Sequence, residues 1–310
     1  MAPQVWLITG ATSGIGAALV DHLIARGDKV IASGRKVQER LGHLQSERLA
    51  LLELDITANF DEIQTKVKKA WGIFGNIDVL MNNAGMSIMK SLEESDEALV
   101  NTVFQVNLFG HMRVTRATLP FLRAQGHGCI AFTSSGTSWA PIPFMTLYAS
   151  SKAALSSYAE GLHKEVRHSG IRCVSFECGG FPTNLGQSRD SAAEFGSTGR
   201  AIDGYTALFN SMVTKFMTDP MVLMPGDVSK AAATIDDVIN GNNLAAGKPW
   251  VARVAIGSDG IVWAQQRCKE MQDLLEAWKD VSCSTDREGA TGAGALEVMH
   301  EYITILETGH

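Results

Sequence analysis

The sequence predicts an α/β fold, and three observations at its start lead there. Val5-Trp-Leu-Ile8 is a short unbroken apolar run, the pattern of a strand buried on both faces. It runs directly into the glycine-rich stretch Thr9-Gly-Ala-Thr-Ser-Gly-Ile-Gly16. Beyond that stretch Ile15, Leu19, His22, Leu23 and Arg26 mark out a helix, which Gly27 closes before a second apolar run, Lys29-Val-Ile-Ala32. A strand, a glycine turn, a helix N-terminus and another strand form a unit suited to an anionic ligand. Its backbone amides can approach a pyrophosphate, and the helix dipole favours negative charge. Gly10, Gly14 and Gly16 provide the close approach, with Thr12, Ser13 and Ile15 between them.

Bulk properties exclude several classes. At 310 residues the chain allows one large α/β domain or two small ones, and enough surface is buried at this length to need no metal or disulfide staples. Net charge is −6 with 19% charged residues, which favours neither nucleic acid nor an anionic membrane surface. Cys129, Cys173, Cys178, Cys268 and Cys283 contain no Cys-x-x-Cys pair, so neither a zinc site nor a disulfide framework is expected, and a reducing compartment is the simplest reading. The N-terminus lacks the pattern of a signal peptide, no apolar run approaches a membrane span, and the end at His310 is no retention or lipidation signal. A cytoplasmic protein is expected.

The end of the second strand bears on the ligand. An acid there would hold a ribose diol, whereas an arginine accepts a 2′-phosphate. Ala32-Ser-Gly-Arg-Lys36 has no carboxylate and two cations, Arg35 and Lys36, which favours NADP(H) over NAD(H). Leu49 to Asp55 reads as a third strand, ending in an acid placed to meet the adenine amino group. Phe60 to Trp71 is an amphipathic helix, and Ile77 to Met81 a fourth strand leading into Asn82-Asn-Ala-Gly85. There the small Ala84 and Gly85 admit a cofactor close to the backbone, and asparagine amides tie loops together. The next helix carries Val103, Val106, Asn107 and Gly110; an asparagine in such a stretch is a satisfied core polar group or a kink.

Cys129-Ile-Ala-Phe132 resembles a buried strand, with Ser134 and Ser135 at its end. Thirteen residues later stands Tyr148, four before Lys152. Residues four apart share a helix face, and an ammonium beside a phenol favours the phenolate. The pair is a candidate general acid/base device.

Taken together, Thr9-Gly-x-x-x-Gly-Ile-Gly16, Asn82-Asn-Ala-Gly85, Asn107, Ser135 and Tyr148-x-x-x-Lys152 resemble the short-chain dehydrogenase/reductase family over roughly the first 190 residues. The resemblance implies a single doubly wound Rossmann domain, with a mainly parallel seven-stranded sheet and a nicotinamide cofactor across its carboxyl edge. It further implies that Tyr148 exchanges a proton with a ketone or alcohol and that Lys152 lowers its pKa and holds the nicotinamide ribose. By the same resemblance Ser135 orients the substrate oxygen, Asn107 helps hold a relay water, and Asp55 and Asn83 contact the adenine half. The family's Pro-Gly turn and following threonine correspond to Glu177-Cys-Gly-Gly-Phe-Pro-Thr183, where Cys178 replaces the proline and Thr183 remains.

From Asn184 to Pro225 an apolar pattern (Phe195, Tyr205, Leu208, Phe209, Met212, Phe216, Met217, Leu223, Met224) corresponds to the family's helical substrate lid. With Trp139 and Phe144 it suggests a bulky, mostly apolar ketone or alcohol. Asp227 caps a further helix, Pro249 to Ile256 is the last strand, and a long helix runs to about Lys279. This end resembles a longer branch of the family, including retinol-dehydrogenase-like and fungal secondary-metabolite reductases. The catalytic domain is expected to span residues 1–286, and 287–310 to form a mobile tail, with Glu297 to Leu306 a short helix. Homodimers and homotetramers, common among such proteins, both stay open. Two other readings also stay open: a sensor that binds NADP(H) without turnover, and an enzyme that templates a rearrangement without redox chemistry.

Overall fold

Short apolar runs separated by helical segments assemble into one central sheet. A computed structural model describes residues 3–183, 185, 202–218, 223–290, 292 and 294–299. The strands are β1 (Val5–Thr9), β2 (Lys29–Gly34), β3 (Leu49–Glu53), β4 (Val79–Asn82), β5 (Gly128–Ser135), β6 (Ile171–Cys178) and β7 (Arg253–Ile256). Their order across the sheet is β3-β2-β1-β4-β5-β6-β7, and every pairing is parallel. Parallel neighbours need crossovers, and helices provide them, covering both faces. All five residues of β1 and all four of β4 are buried accordingly.

On one face α1 (Gly14–Arg26) packs beside a later helix, Val228–Asn240, through Leu19, Leu23, Ala232 and Ile235 against Trp6, Ile8 and Val174. On the other face lie α3 (Phe60–Phe74), α5 (Gly110–Gln125) and α6 (Thr146–Val166), where Ile63, Val67, Val114 and Leu155 meet Leu7, Leu80 and Ile130. Further helices among the described residues include α2 (Val37–Leu41), α4 (Glu97–Phe104), α7 (Asp203–Thr218), α9 (Ser258–Ala277) and α10 (Lys279–Cys283), with Val228–Asn240 counted as α8. Asn59 caps α3 by accepting from the Glu62 amide (3.0 Å), and Asp227 caps α8 through the Ser229 and Lys230 amides (2.8 and 3.1 Å).

Strand order reverses at β1: the chain lays β2 and β3 on one side, then returns to place β4 on the other. The carboxyl ends of β1 and β4 therefore bound a crevice, the usual ligand position in such sheets.

Several boundaries differ from the sequence reading. The run at Cys129 to Phe132 extends to Ser135, the fourth strand begins at Val79, and the last is confined to Arg253–Ile256. The expected single helix around Asn107 is instead α4 and α5 joined by a π-turn, Gln105–Phe109. Of the expected lid, α7 is described, whereas Asn184, Phe195 and the side chains of Phe216 and Met217 lie outside the described residues. Residues 294–299 are helical at the start of the expected Glu297 to Leu306 helix, whose remainder lies outside them, as does the end of the expected tail. Among the described residues no helix is long and apolar enough to cross a membrane.

Candidate active site

A cleft of about 540 Å³ opens along the carboxyl edge of the sheet. It is lined in part by Gly10, Thr12, Ser13, Gly14 and Ile15 after β1, by Gly34, Arg35 and Arg40 around the end of β2, and by Asp55 after β3. Asn83, Ala84 and Gly85 after β4, Ser135 at the end of β5, Tyr148 and Lys152 on α6, and Cys178, Gly179 and Thr183 after β6 complete its central and far walls.

The glycines have distinct physical reasons. Gly10 adopts φ +65°, and a Cβ there would stand 2.7 Å from Ala84 Cα. A Cβ on Gly16 would collide with the Asn83 amide and the Gly10 carbonyl. Ser13, extended at the N-cap of α1, makes no side-chain cap bond, which leaves the first amides of α1 to an anion in the cleft. Asn83 fastens the turn: its Nδ2 donates to the carbonyls of Thr9 (3.2 Å) and Gly10 (3.1 Å), and its Oδ1 accepts from Thr133 Oγ1 (3.0 Å). The side chain is thus engaged by protein on both ends.

At the β2–β3 end, Arg35 and Arg40 both line the cleft, and Arg40 donates to Thr12 Oγ1 at 3.4 Å. Arg40 was not singled out from the sequence; its signal was a cation one helical turn beyond Lys36. Lys36 itself turns the chain into α2 with φ +54° and is not among the cleft's lining residues. Asp55 accepts from the Thr57 amide and hydroxyl through one oxygen (2.8 and 2.7 Å), which orients its carboxylate at the strand end.

At the opposite end Tyr148 and Lys152 are both buried on α6. Lys152 Nζ donates to Thr133 O (2.8 Å) and lies 5.9 Å from the Tyr148 ring centroid. Ser134 accepts no catalytic part: its hydroxyl donates to Lys152 O (3.0 Å) and pairs with Ser156 (2.8 Å), pinning α6 to β5. Ser135 accepts from the Thr137 hydroxyl at 3.0 Å; burial raises the Tyr148 phenol, and the neighbouring Ser135 hydroxyl pulls it down. Burial outweighs that pull, and Tyr148 is pushed up to about 12. The lowering of the phenol's pKa expected from Lys152 meets an opposing effect, desolvation, which is the largest influence on this phenol. Burial also lowers Lys152 to about 8.

Asn107 sits on the π-turn, fully buried. Its Oδ1 accepts from the Met86 amide (2.9 Å), and its Nδ2 donates to Met86 O (2.9 Å) and Ser151 Oγ (3.1 Å). It therefore locks the loop after β4 onto α6, and a π-turn at such a position fits a functional site. A Cβ on Gly85 would stand 3.5 Å from both Asn107 Oδ1 and Lys152 Nζ, so the two polar groups approach one another at this glycine.

Above Tyr148, Met89, Phe144 and Met145 form an apolar cluster with Ile142, Phe209, Met212 and Val213. Phe144 takes φ +63°, a strained conformation for an aromatic residue, and its carbonyl accepts from the Lys90 amide at 2.7 Å. Its ring meets Phe209 edge-on at 5.2 Å, joining α7 to the start of α6. Trp139 does not share this role. Its Nε1 donates to the buried Glu177, and Arg253 stacks over its ring at 4.2 Å, so it belongs to a polar cluster behind β6. The thiol of Cys178 is pushed up to about 12 by burial and is neutral, as a small packed residue would be.

A family model described as short chain dehydrogenase matches residues 4–194. An oxidoreductase of Botryotinia fuckeliana is 28% identical over 286 residues, covering 91% of this chain and 99% of the relative. A short-chain dehydrogenase structure from Streptomyces avermitilis has TM-score 0.77 at 29% identity, covering 92% of this chain and all of that one. A short chain dehydrogenase from Burkholderia cenocepacia in complex with NADP has TM-score 0.65 at 25% identity, covering 89% and 97%.

The buried ammonium gives a direct check. With lysine side chains isotopically labelled, one resonance is expected to titrate near pH 8 and to vanish in Lys152→Met. A Lys152 signal that stays protonated beyond pH 10 would contradict the desolvation described above.

Proposed function

The chain belongs to the short-chain dehydrogenase family, and on that premise we propose that it is an NADP(H)-dependent oxidoreductase interconverting a ketone and a secondary alcohol on a bulky, mostly apolar small molecule. The observation that carries this reading is the convergence of Ser135, Tyr148 and Lys152 at one end of a cleft whose other end presents Arg35 and Arg40. The donor set suits a dinucleotide. The open amides of α1 and the Gly10–Gly16 turn would hold the pyrophosphate, Arg35 and Arg40 the 2′-phosphate, Asp55 the adenine, and Lys152 and Thr183 the nicotinamide half. NADPH, when bound, supplies the hydride.

The protein's part is proton delivery. A phenol near 12 is fully protonated at neutral pH and is therefore a donor to the oxygen of a ketone being reduced. Ser135, which lines the same end of the cleft as Tyr148, orients that oxygen. Lys152, near Tyr148 on the same helix and with its ammonium lowered by burial, is the cation that favours return of the phenol's proton. Lys152 recovers its proton through a water that the family resemblance assigns to Asn107, whose Oδ1 lies near the same glycine, Gly85, as Lys152 Nζ.

The apolar cluster above Tyr148 supports a substrate with few hydrogen-bonding groups next to its carbonyl. The resemblance to the longer branch extends the proposal to a role in secondary metabolism. A cytoplasmic location is part of the same reading.

Replacing Tyr148 by Phe is expected to lower NADPH-dependent reduction of hydrophobic ketones by about 10²–10⁴-fold, with NADPH affinity little changed. Full activity in that variant would remove the tyrosine from the mechanism. Arg35→Glu is expected to shift preference from NADPH toward NADH by about tenfold or more. An unchanged ratio of the two specificity constants would refute the phosphate assignment.

A further inference from the structure

The wall of the cleft beside Ser135 is the turn Cys178-Gly179-Gly180, which leaves β6 without the stiffening of a proline. Its position is set from outside. Gly179 N donates to Ile256 O at 2.8 Å, and Gly226 N to Gly180 O at 2.9 Å. The strongest contact comes from the first turn of α9, 79 residues away, where Asp259 Oδ2 accepts from the Gly180 amide at 2.6 Å. Gly179 does not adopt a left-handed backbone, so its lack of a side chain needs another reason. The carboxylate supplies it: a Cβ on Gly179 would stand 2.5 Å from Asp259 Cγ and Oδ2 and nearer still to Oδ1, and these are the three nearest atoms.

Two further contacts make α9 the backing of this end of the cleft. Gly260 packs on the turn, so that a Cβ there would stand 3.4 Å from Gly179 N and Glu177 O. Trp263 fills the space beside Gly136, immediately after Ser135, where a Cβ would stand 2.7 Å from its ring. Strand order fixes which end this is. Arg35 and Asp55 follow β2 and β3, whereas Ser135 and Cys178 end β5 and β6 on the far side of β1.

We propose that Asp259 is a positioning residue for the nicotinamide end of the cleft: its carboxylate, seated in the hole left by Gly179 and holding the Gly180 amide, fixes the turn against which the reactive half of the dinucleotide lies. This rests on the NADP(H) reading above and adds to it a residue that touches neither cofactor nor substrate. A charged acceptor on a backbone amide is among the stronger hydrogen bonds, and supporting contacts of this kind decide whether a site is held tightly enough to act.

A double-mutant cycle on the full chain tests it, with affinities for NADPH and for 2′,5′-ADP, which carries only the adenine half, and with melting temperature as the control for folding. Asp259→Ala is expected to weaken NADPH binding about tenfold and leave 2′,5′-ADP within about twofold of wild type. Asp259→Asn, which keeps an acceptor oxygen in place, should fall between. Gly179→Ala should reproduce the defect by expelling the carboxylate. Combined with Asp259→Ala it should add nothing, because its methyl then has room. Additive losses, unchanged NADPH affinity in Asp259→Ala, or parallel weakening of both ligands would each overturn the proposal. Wild-type protein that binds NADH but not NADPH would refute the phosphate reading alone, and the cycle is then read with NADH against ADP. Wild-type protein that binds no dinucleotide would overturn both.

Discussion

Asn83 closes the seam between the carboxyl ends of β1 and β4, and the cleft depends on that seam. One side chain bonds the carbonyls of Thr9 and Gly10 at the end of β1 and Thr133, one residue beyond the last pair between β4 and β5. Thr9 answers from the other side, its hydroxyl accepting from the Asn83 and Ala84 amides at 3.0 and 3.1 Å. Three strand ends are thereby fixed with buried backbone groups satisfied, which is the condition for any loop to lie this deep. The glycines follow from the same seam. Gly10 and Gly16 are bare because Ala84 and Asn83 occupy the space a side chain would take.

A second constraint is the removal of Tyr148 and Lys152 from water. Desolvation separates two groups from their ordinary ranges in opposite directions, raising the phenol and lowering the ammonium. The result is a phenol held protonated near a lysine whose ammonium is lowered to about 8. Serine contacts hold the geometry: Ser134, Ser156 and Ser175 run as a hydrogen-bonded row beneath α6, at 2.8 and 3.2 Å. Asn107, reached through a π-turn, ties the same helix to the loop after β4.

Much of this was legible in the sequence, for identifiable reasons. Continuous apolar runs can only be strands buried on both sides, and a glycine turn between strand and helix has few other uses, so β1, α1 and β2 were read nearly to the residue. Tyr148 and Lys152 were legible because four-residue spacing is local. What stayed hidden depends on partners distant in sequence. Trp139 reads as a pocket aromatic until Glu177 and Arg253 are seen to hold it. Gly179 has no evident reason in the sequence until Asp259 is found where its side chain would be. The π-turn has no pattern that separates it from an ordinary helix, since Val103, Val106 and Gly110 keep helical spacing across it. The pair of Tyr148 and Lys152 is visible in the sequence, whereas the depth of burial that opposes it is not.

The central claim is that this cleft passes a hydride to a carbon while Tyr148 passes a proton to its oxygen. It is tested most directly by offering hydrophobic ketones with NADPH deuterated at the transferring position of the nicotinamide and weighing the product. The predicted product is an alcohol carrying one deuterium at the former carbonyl carbon. A product formed without deuterium, or of unchanged mass relative to the substrate, would contradict the claim and point to a templated rearrangement in the same cleft.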